Sequence, residues 1–152
     1  MREILLSCGV TLQVSDVDFL FVLGQSWTVN SYGYVVGTNA KRHPFRNQQL
    51  GRVLAVRMQL DLSHEIDHKD RNPLNFQRDN LRPATDSQQE ANKAAHNRFG
   101  IKGIKANRGR WQARLKKNGR TKHLGTFDTP EQAAEAYRQA AIEAFGEYAC
   151  VD

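Results

Sequence analysis

Along the first third of the chain the apolar positions come in short alternating bursts. Ile4 to Leu6 and Val10 to Val14 read as two strands broken at Gly9. Ser15 and Asp16 can cap a short helix that runs through Leu23, with Gly24 just past its end. Trp27 to Val29 and Tyr32 to Val36 bracket Asn30 and Ser31 as a hairpin, and a third strand is expected near His43 to Phe45. This predicts a small β-rich module that buries Phe19, Phe21, Trp27 and Tyr34. The period then changes. Leu50, Val53, Leu54 and Met58 recur at helical spacing within Gln49 to Leu60, so a helix is expected there. Glu65 to His68 reads as a strand, with a turn at Arg71 to Leu74 and a return near Phe76 to Leu81. Thr85 to Gln88 has the form of a capping box, and the helix it opens is expected to pass Gln89, Asn92 and Lys93 and reach about Asn97.

The last third repeats the logic on a smaller scale. Three short strands are expected, turning at Arg108-Gly109 and at Asn118-Gly119. Within Arg110 to Lys116, strict alternation sets Trp111, Ala113 and Leu115 on one face and Arg110, Gln112, Arg114 and Lys116 on the other. A helix follows from the Thr129 to Gln132 cap to Gly146, with Ala133, Ala136, Tyr137, Ala140 and Ala144 on a face of small residues that can lie close on a sheet. The fold class is therefore α+β: a β-rich N-terminal module, a hairpin followed by a helix, and a three-stranded antiparallel sheet packed on one helix.

Composition narrows the function. The 152 residues fit one ordinary domain or a few very small ones. A mean hydropathy of -0.64 implies modest cores. No apolar run reaches the length of a membrane span, and the start is too short for a signal peptide, which points to a cytoplasmic protein without a membrane partner. Two cysteines, Cys8 and Cys150, cannot make a four-thiolate zinc cradle, and reduced thiols are expected. The formal net charge is +6. That charge is concentrated: from Lys93 to Leu124 there are lysines and arginines and neither aspartate nor glutamate, interleaved with Ile101, Ile104, Trp111, Leu115 and Leu124. A basic block that folds points to a phosphate backbone as partner.

The chemistry gathers between His64 and Asn92. An Asp67-His68 pair, a Pro/Asn turn from Asn72 to Asn75, the run Asn80-Leu81-Arg82 and a polar helix-forming segment follow one another. This series resembles the HNH nuclease motif, a hairpin and helix that hold a metal. The Trp27 to Tyr34 segment is similar to the opening of phage HNH proteins. The resemblance implies that His68 is the general base that activates water for attack on a phosphodiester. It implies that Asp67 ligates one divalent ion, Mg²⁺ or Mn²⁺. Asn80 takes the place of the central Asn that holds the hairpin loop and orients the base, and the last metal position falls on Gln89. A carboxylate beside an imidazole suits these roles, as a hard oxygen ligand next to a proton acceptor. The chain departs from the family at Gly51, where a His is common, and at Gln89, a longer and floppier ligand than His or Asn. The same residues, His64 to His68, also spell H-E-x-x-H, but that zinc motif needs a helix, and the neighbouring sequence predicts a strand or loop.

After a linker from Lys93 to Gly100, the series Gly100 to Ile104, Arg110 to Leu115, Asn118-Gly119, His123 to Ala134 and Ala136-Tyr137 resembles the Apetala-type (ethylene-response-factor-like) DNA-binding domain. The resemblance implies double-stranded DNA as partner, met by Arg98, Lys102, Lys105, Arg108, Arg110, Arg114, Lys116, Arg120 and Lys122, with arginines reading guanine edges and lysines meeting phosphates. Mutating Lys116 or Lys122 is expected to weaken binding evenly and to flatten its salt dependence. The expected organisation is a module over 1–48, the HNH motif over 49–97 and the DNA-binding domain over 98–152. Together these imply a metal-dependent DNA endonuclease of nicking or homing type, encoded by a phage or mobile element in a bacterial host, with no obligate protein partner. The alternative left by Gly51 and Gln89 is a catalytically inert HNH-fold DNA-binding or regulatory protein.

Overall fold

A computed structural model describes residues 1–38, 43–95 and 100–151. The fold is α+β, and by its internal contacts the chain divides into two units, Met1–Ala84 and Thr85–Asp152. The first unit contains β1 (Arg2–Leu5), β2 (Thr11–Val14), α1 (Asp16–Leu23), β3 (Trp27–Val29), β4 (Val35–Gly37), α2 (Leu50–Arg57), β5 (Glu65–His68), β6 (Asn75–Phe76) and β7 (Leu81–Ala84). Strand β2 is the centre of a three-stranded sheet. It pairs antiparallel with β1 and parallel with β6, with Gln13 opposite Asn75 and Val14 opposite Phe76. Strands β5 and β7 form their own antiparallel hairpin, and α2 packs on both.

One core holds these pieces together. Leu12, Val14, Val22, Trp27, Leu50, Leu54, Phe76 and Leu81 are buried in it, each side chain contributing roughly 1.5–3 kcal/mol. The indole of Trp27 donates to Val22 O at 3.0 Å, which satisfies its one polar atom. A charged side chain, Asp18, is fully buried with them. Asp18 accepts from Arg78 Nε at 2.6 Å and Nη2 at 2.9 Å, and from Arg57 Nε at 3.2 Å. Ser15 occupies the N-cap position of α1 without a side-chain cap bond; its Oγ instead accepts from Arg78 N at 2.9 Å.

Three expectations fail locally. His43 to Phe45 is not a strand; the residues that follow, Arg46 and Gln49, meet β4 in isolated bridges with Gly37 and Val36, and Phe45 stacks on Trp27. Tyr34 is exposed, because the turn accommodates it: Asn30 Oδ1 accepts from the backbone N–H of both Tyr32 and Tyr34, and the strand resumes only at Val35. The helix expected to reach Asn97 is α3 (Asp86–Asn92), and Lys93 is already extended. Asn97 itself lies outside the described residues.

The second unit contains α3, β8 (Ile104–Asn107), β9 (Arg110–Lys117), β10 (Arg120–Phe127), α4 (Pro130–Phe145) and a 3₁₀ turn (Gly146–Tyr148). Its sheet is antiparallel in the order β8-β9-β10. Both hairpin turns have consecutive left-handed residues, φ 49° and 79° at Arg108-Gly109 and 50° and 74° at Asn118-Gly119, which match the right-handed twist of the flanking strands. Thr85 and Gln88 close the full capping box of α3, whereas at α4 the Thr129 hydroxyl accepts from Gln132 N ahead of Pro130. The buried seam of α4 is Ala133, Tyr137, Ala141 and Phe145, so the expected small-residue face is rotated; Ala136, Ala140 and Ala144 are half-buried beside it. Tyr137 covers Gly103, where φ is +72° and a Cβ would stand 2.0 Å from the ring, so only glycine fits. Cys8 is exposed and Cys150 is buried in the other unit.

Candidate active site

The β5–β7 hairpin places the expected chemistry where the strand meets its loop. Glu65 pairs with Ala84, Ile66 with Pro83, Asp67 with Arg82 and His68 with Leu81. Because residues 65–68 are a strand, His64 and His68 do not share a helix face, and the zinc-protease reading of the same letters is excluded. His68 is half-buried with its ring edge-on to Phe76, centroids 5.1 Å apart. Burial pushes its imidazole below the ordinary range, against the pull of the Asp67 and Asp70 carboxylates. At neutral pH the ring is therefore uncharged and able to accept a proton.

The loop beyond His68 is held from one point. Asn80 is buried; its Nδ2 donates to Asp70 Oδ1 at 2.9 Å and to Asn75 O at 2.8 Å, and its Oδ1 accepts from Asp70 N at 3.0 Å. Its carbonyl also accepts from Lys69 N. Asp70 in turn accepts from Asn72 N and from Asn75 Nδ2. Burial alone would raise the Asp70 pKa, but the hydrogen bonds from Asn75, Asn72 and Asn80 outweigh it, so the carboxyl lies below its usual value. Asp70, Asn75 and Phe76 belong to this frame and were not singled out from sequence.

Nor was Arg82. It stands directly across the hairpin from Asp67, with Nε and Nη2 each 3.0 Å from Oδ2, and both side chains are nearly buried, 6% and 12% exposed. Asp67 is thus a carboxylate with its charge balanced inside the hairpin. Among the described residues no group of three His, Cys, Asp or Glu could hold a metal ion. A single carboxylate suits an oxygen-preferring divalent ion that keeps most of its waters and is completed by substrate phosphates. Gln89 belongs to the second unit, in α3, with its carbonyl accepting from Lys93 N.

The basic residues of the second unit divide by register. Cross-strand partners share a face, so Lys105 opposite Gln112, Arg110 opposite Asn107, His123 opposite Arg114 and Thr121 opposite Lys116 lie on the open side of the sheet. Ala113 and Leu115 are buried on the other side, and Trp111 is packed with them. Lys122 is opposite Leu115 and Arg120 opposite Lys117, which puts both on the helix side, at the exposed end of the hairpin. Arg108 is exposed at the first turn. Two lysines of the basic block serve helix ends. Lys102 Nζ donates to the carbonyls of Glu90, Ala91 and Lys93 at the end of α3, and Lys117 Nζ donates to Ala144 O at the end of α4. Arg110 bonds to Asp128 at 2.9 Å and Arg114 to Gln112 at 2.6 Å. Arg98 lies outside the described residues.

Comparison with known proteins agrees with this geometry. Residues 59–91 match the family described as HNH endonuclease, a segment that takes in β5, β6, β7 and most of α3. The chain is also 33% identical over 138 residues to an uncharacterised HNH endonuclease of Acanthamoeba polyphaga mimivirus, covering 86% of this chain and 73% of the relative.

Proposed function

Since the chain belongs to the HNH endonuclease family, we propose that it is a divalent-metal-dependent DNA endonuclease of nicking or homing type, whose basic C-terminal sheet is a DNA-binding module of the Apetala type. The observation that carries the proposal is a half-buried His68 next to Asp67 on one strand, with the loop beyond them fixed by Asn80.

In this reading His68 takes a proton from water as the water oxygen forms its bond to phosphorus, and the bond to the leaving 3′ oxygen breaks. Phe76 against the imidazole limits its rotation, and Asn80 holds the chain that follows it, so the base meets its water with little reorganisation. Asp67 would hold the divalent ion. When bound, such an ion supplies Lewis-acid stabilisation of charge on the phosphate and leaving oxygens. The open face of the second unit, with Lys105, Arg110, Arg114 and Lys116, supports contact with a phosphate backbone.

One observation favours the alternative of an inert DNA-binding protein: the single candidate metal carboxylate is already ion-paired with Arg82. Conversion of supercoiled plasmid to nicked or linear form separates the two. Cutting that needs Mg²⁺ or Mn²⁺ and disappears in His68→Ala is expected. Retarded but intact plasmid, on host and viral DNA alike, would leave the binding protein as the better reading. Cutting that persists in His68→Ala would place the chemistry elsewhere.

A further inference from the structure

Resting on the reading that Asp67 ligates a divalent ion, we propose that Arg82 is a positioning residue that opposes ion binding in the DNA-free protein and so makes ion and nucleic acid bind as a coupled pair. Three observations carry this. The register of β5 and β7 sets Arg82 directly opposite Asp67, so the contact is built into the hairpin and does not depend on a flexible reach. Both Nε and Nη2 lie 3.0 Å from the same carboxylate oxygen, Oδ2. With 6% of the Arg82 side chain and 12% of the Asp67 side chain exposed, the pair is largely shielded from bulk water.

The consequence follows from charge. A neighbouring carboxylate that bonds a metal ligand raises that ligand's basicity and the metal's affinity, typically by about 10- to 100-fold. A guanidinium in the same place acts with opposite sign. It lowers the negative charge that Asp67 offers and places a fixed cation beside any ion that arrives, in surroundings where charges are poorly screened. A phosphodiester brings negative charge to the same place and offsets the guanidinium. Ion and DNA therefore each raise the affinity of the other, and by the same factor. The arrangement keeps the protein from holding its ion tightly until a phosphate is present.

The test is Mn²⁺ binding to the full chain, read by the electron paramagnetic resonance of the free ion, with and without a mixed-sequence duplex. A His68→Ala background keeps the duplex intact, and Asp67→Ala in that background supplies the blank. Arg82→Met is expected to bind Mn²⁺ about tenfold more tightly than its parent in the absence of duplex, and Arg82→Lys, which keeps the charge, to stay close to the parent. Duplex should tighten Mn²⁺ binding by the parent and do so much less for Arg82→Met. Equal or weaker Mn²⁺ binding by Arg82→Met, with Asp67→Ala abolishing it, would overturn the role of Arg82 and leave Asp67 as the ligand. Should Arg82→Met fail to fold, parent protein that binds Mn²⁺ equally well with and without duplex would overturn the inference by itself. Binding unchanged by Asp67→Ala would instead refute the ligand assignment on which the inference stands.

Discussion

The buried Asp18 offers the sharpest test of how the first unit is held together. Its carboxylate is fully buried, while its partners Arg57 and Arg78 are 37% and 35% exposed. The two ends of each pair are therefore not equivalent. In Asp18→Asn the arginines regain water and no charge is stranded, so the loss is that of charge-assisted hydrogen bonds, partly replaced by the amide: about 2–3 kcal/mol. In Arg78→Met the carboxylate stays buried with only the 3.2 Å contact from Arg57, and removing one member of a buried pair in this way costs about 3–5 kcal/mol. Urea unfolding followed by Trp27 fluorescence, in a Trp111→Phe background, should place Arg78→Met below Asp18→Asn and both below the parent. The pH dependence has a definite sign. The hydrogen bonds from Arg78, strongest among the causes, hold the Asp18 carboxyl below its usual value despite burial. As pH falls the unfolded chain takes up the proton first, so the stabilisation is complete above about pH 4 and is lost as pH falls through the folded-state pKa. The gap between parent and Asp18→Asn must close in that acid window. Parent and Asp18→Asn unfolding together at pH 7, or a gap that persists unchanged at the acid limit of folding, would refute the reasoning.

Other substitutions probe other parts. Gly103→Ala combines a left-handed backbone with a Cβ 2.0 Å from the Tyr137 ring, and should destabilise the second unit by about 2–5 kcal/mol, read as an early loss of Trp111 fluorescence on heating. Gly51→Ala goes the other way. It is helical, its Cβ would meet Ile66 and Phe76 at an ordinary 3.8 Å, and a gain of about 0.5–1 kcal/mol in urea unfolding is expected. Lys105→Ala should weaken duplex binding and lower the magnitude of the salt slope by about 1, whereas Lys122→Ala, on the helix side of the sheet, should change the slope less; equal effects would mean that the open face is not the one DNA meets.

What could be read in the sequence was what local chemistry decides. Asn118-Gly119, the Thr85 to Gln88 box and the Gly24 stop each dictate their own backbone, and the structure has each of them. Asp67, His68 and Asn80 are picked out by the resemblance to the HNH motif, and the structure has Asp67 and His68 on one strand with Asn80 bonded into the loop beyond them. What could not be read depends on partners far away in sequence. Arg82 becomes part of the site only once the register of β5 and β7 is known. Lys102 and Lys117 look like their basic neighbours in sequence, yet the packing of α3 and α4 engages them as caps. Ser15 has the right residue type to cap α1 and instead bonds a backbone N–H beyond β6. The exposure of Tyr34 and the irregular path of His43 to Phe45 follow from turn geometry that alternation does not encode.

The parallel pairing of β2 with β6 has a consequence for the order in which the molecule is made. Val14 leaves the ribosome long before Phe76, and at about 5–20 residues per second the wait is on the order of 3–12 seconds. During that interval β2 has β1 on one side and a bare edge on the other, and Asp18 lacks Arg78. The side chain that steadies His68, Phe76, docks in the same step that completes the sheet. A growing chain that has released β1 and β2 therefore still lacks the geometry of the base, and His68 can meet Phe76 only after translation has passed the loop between them.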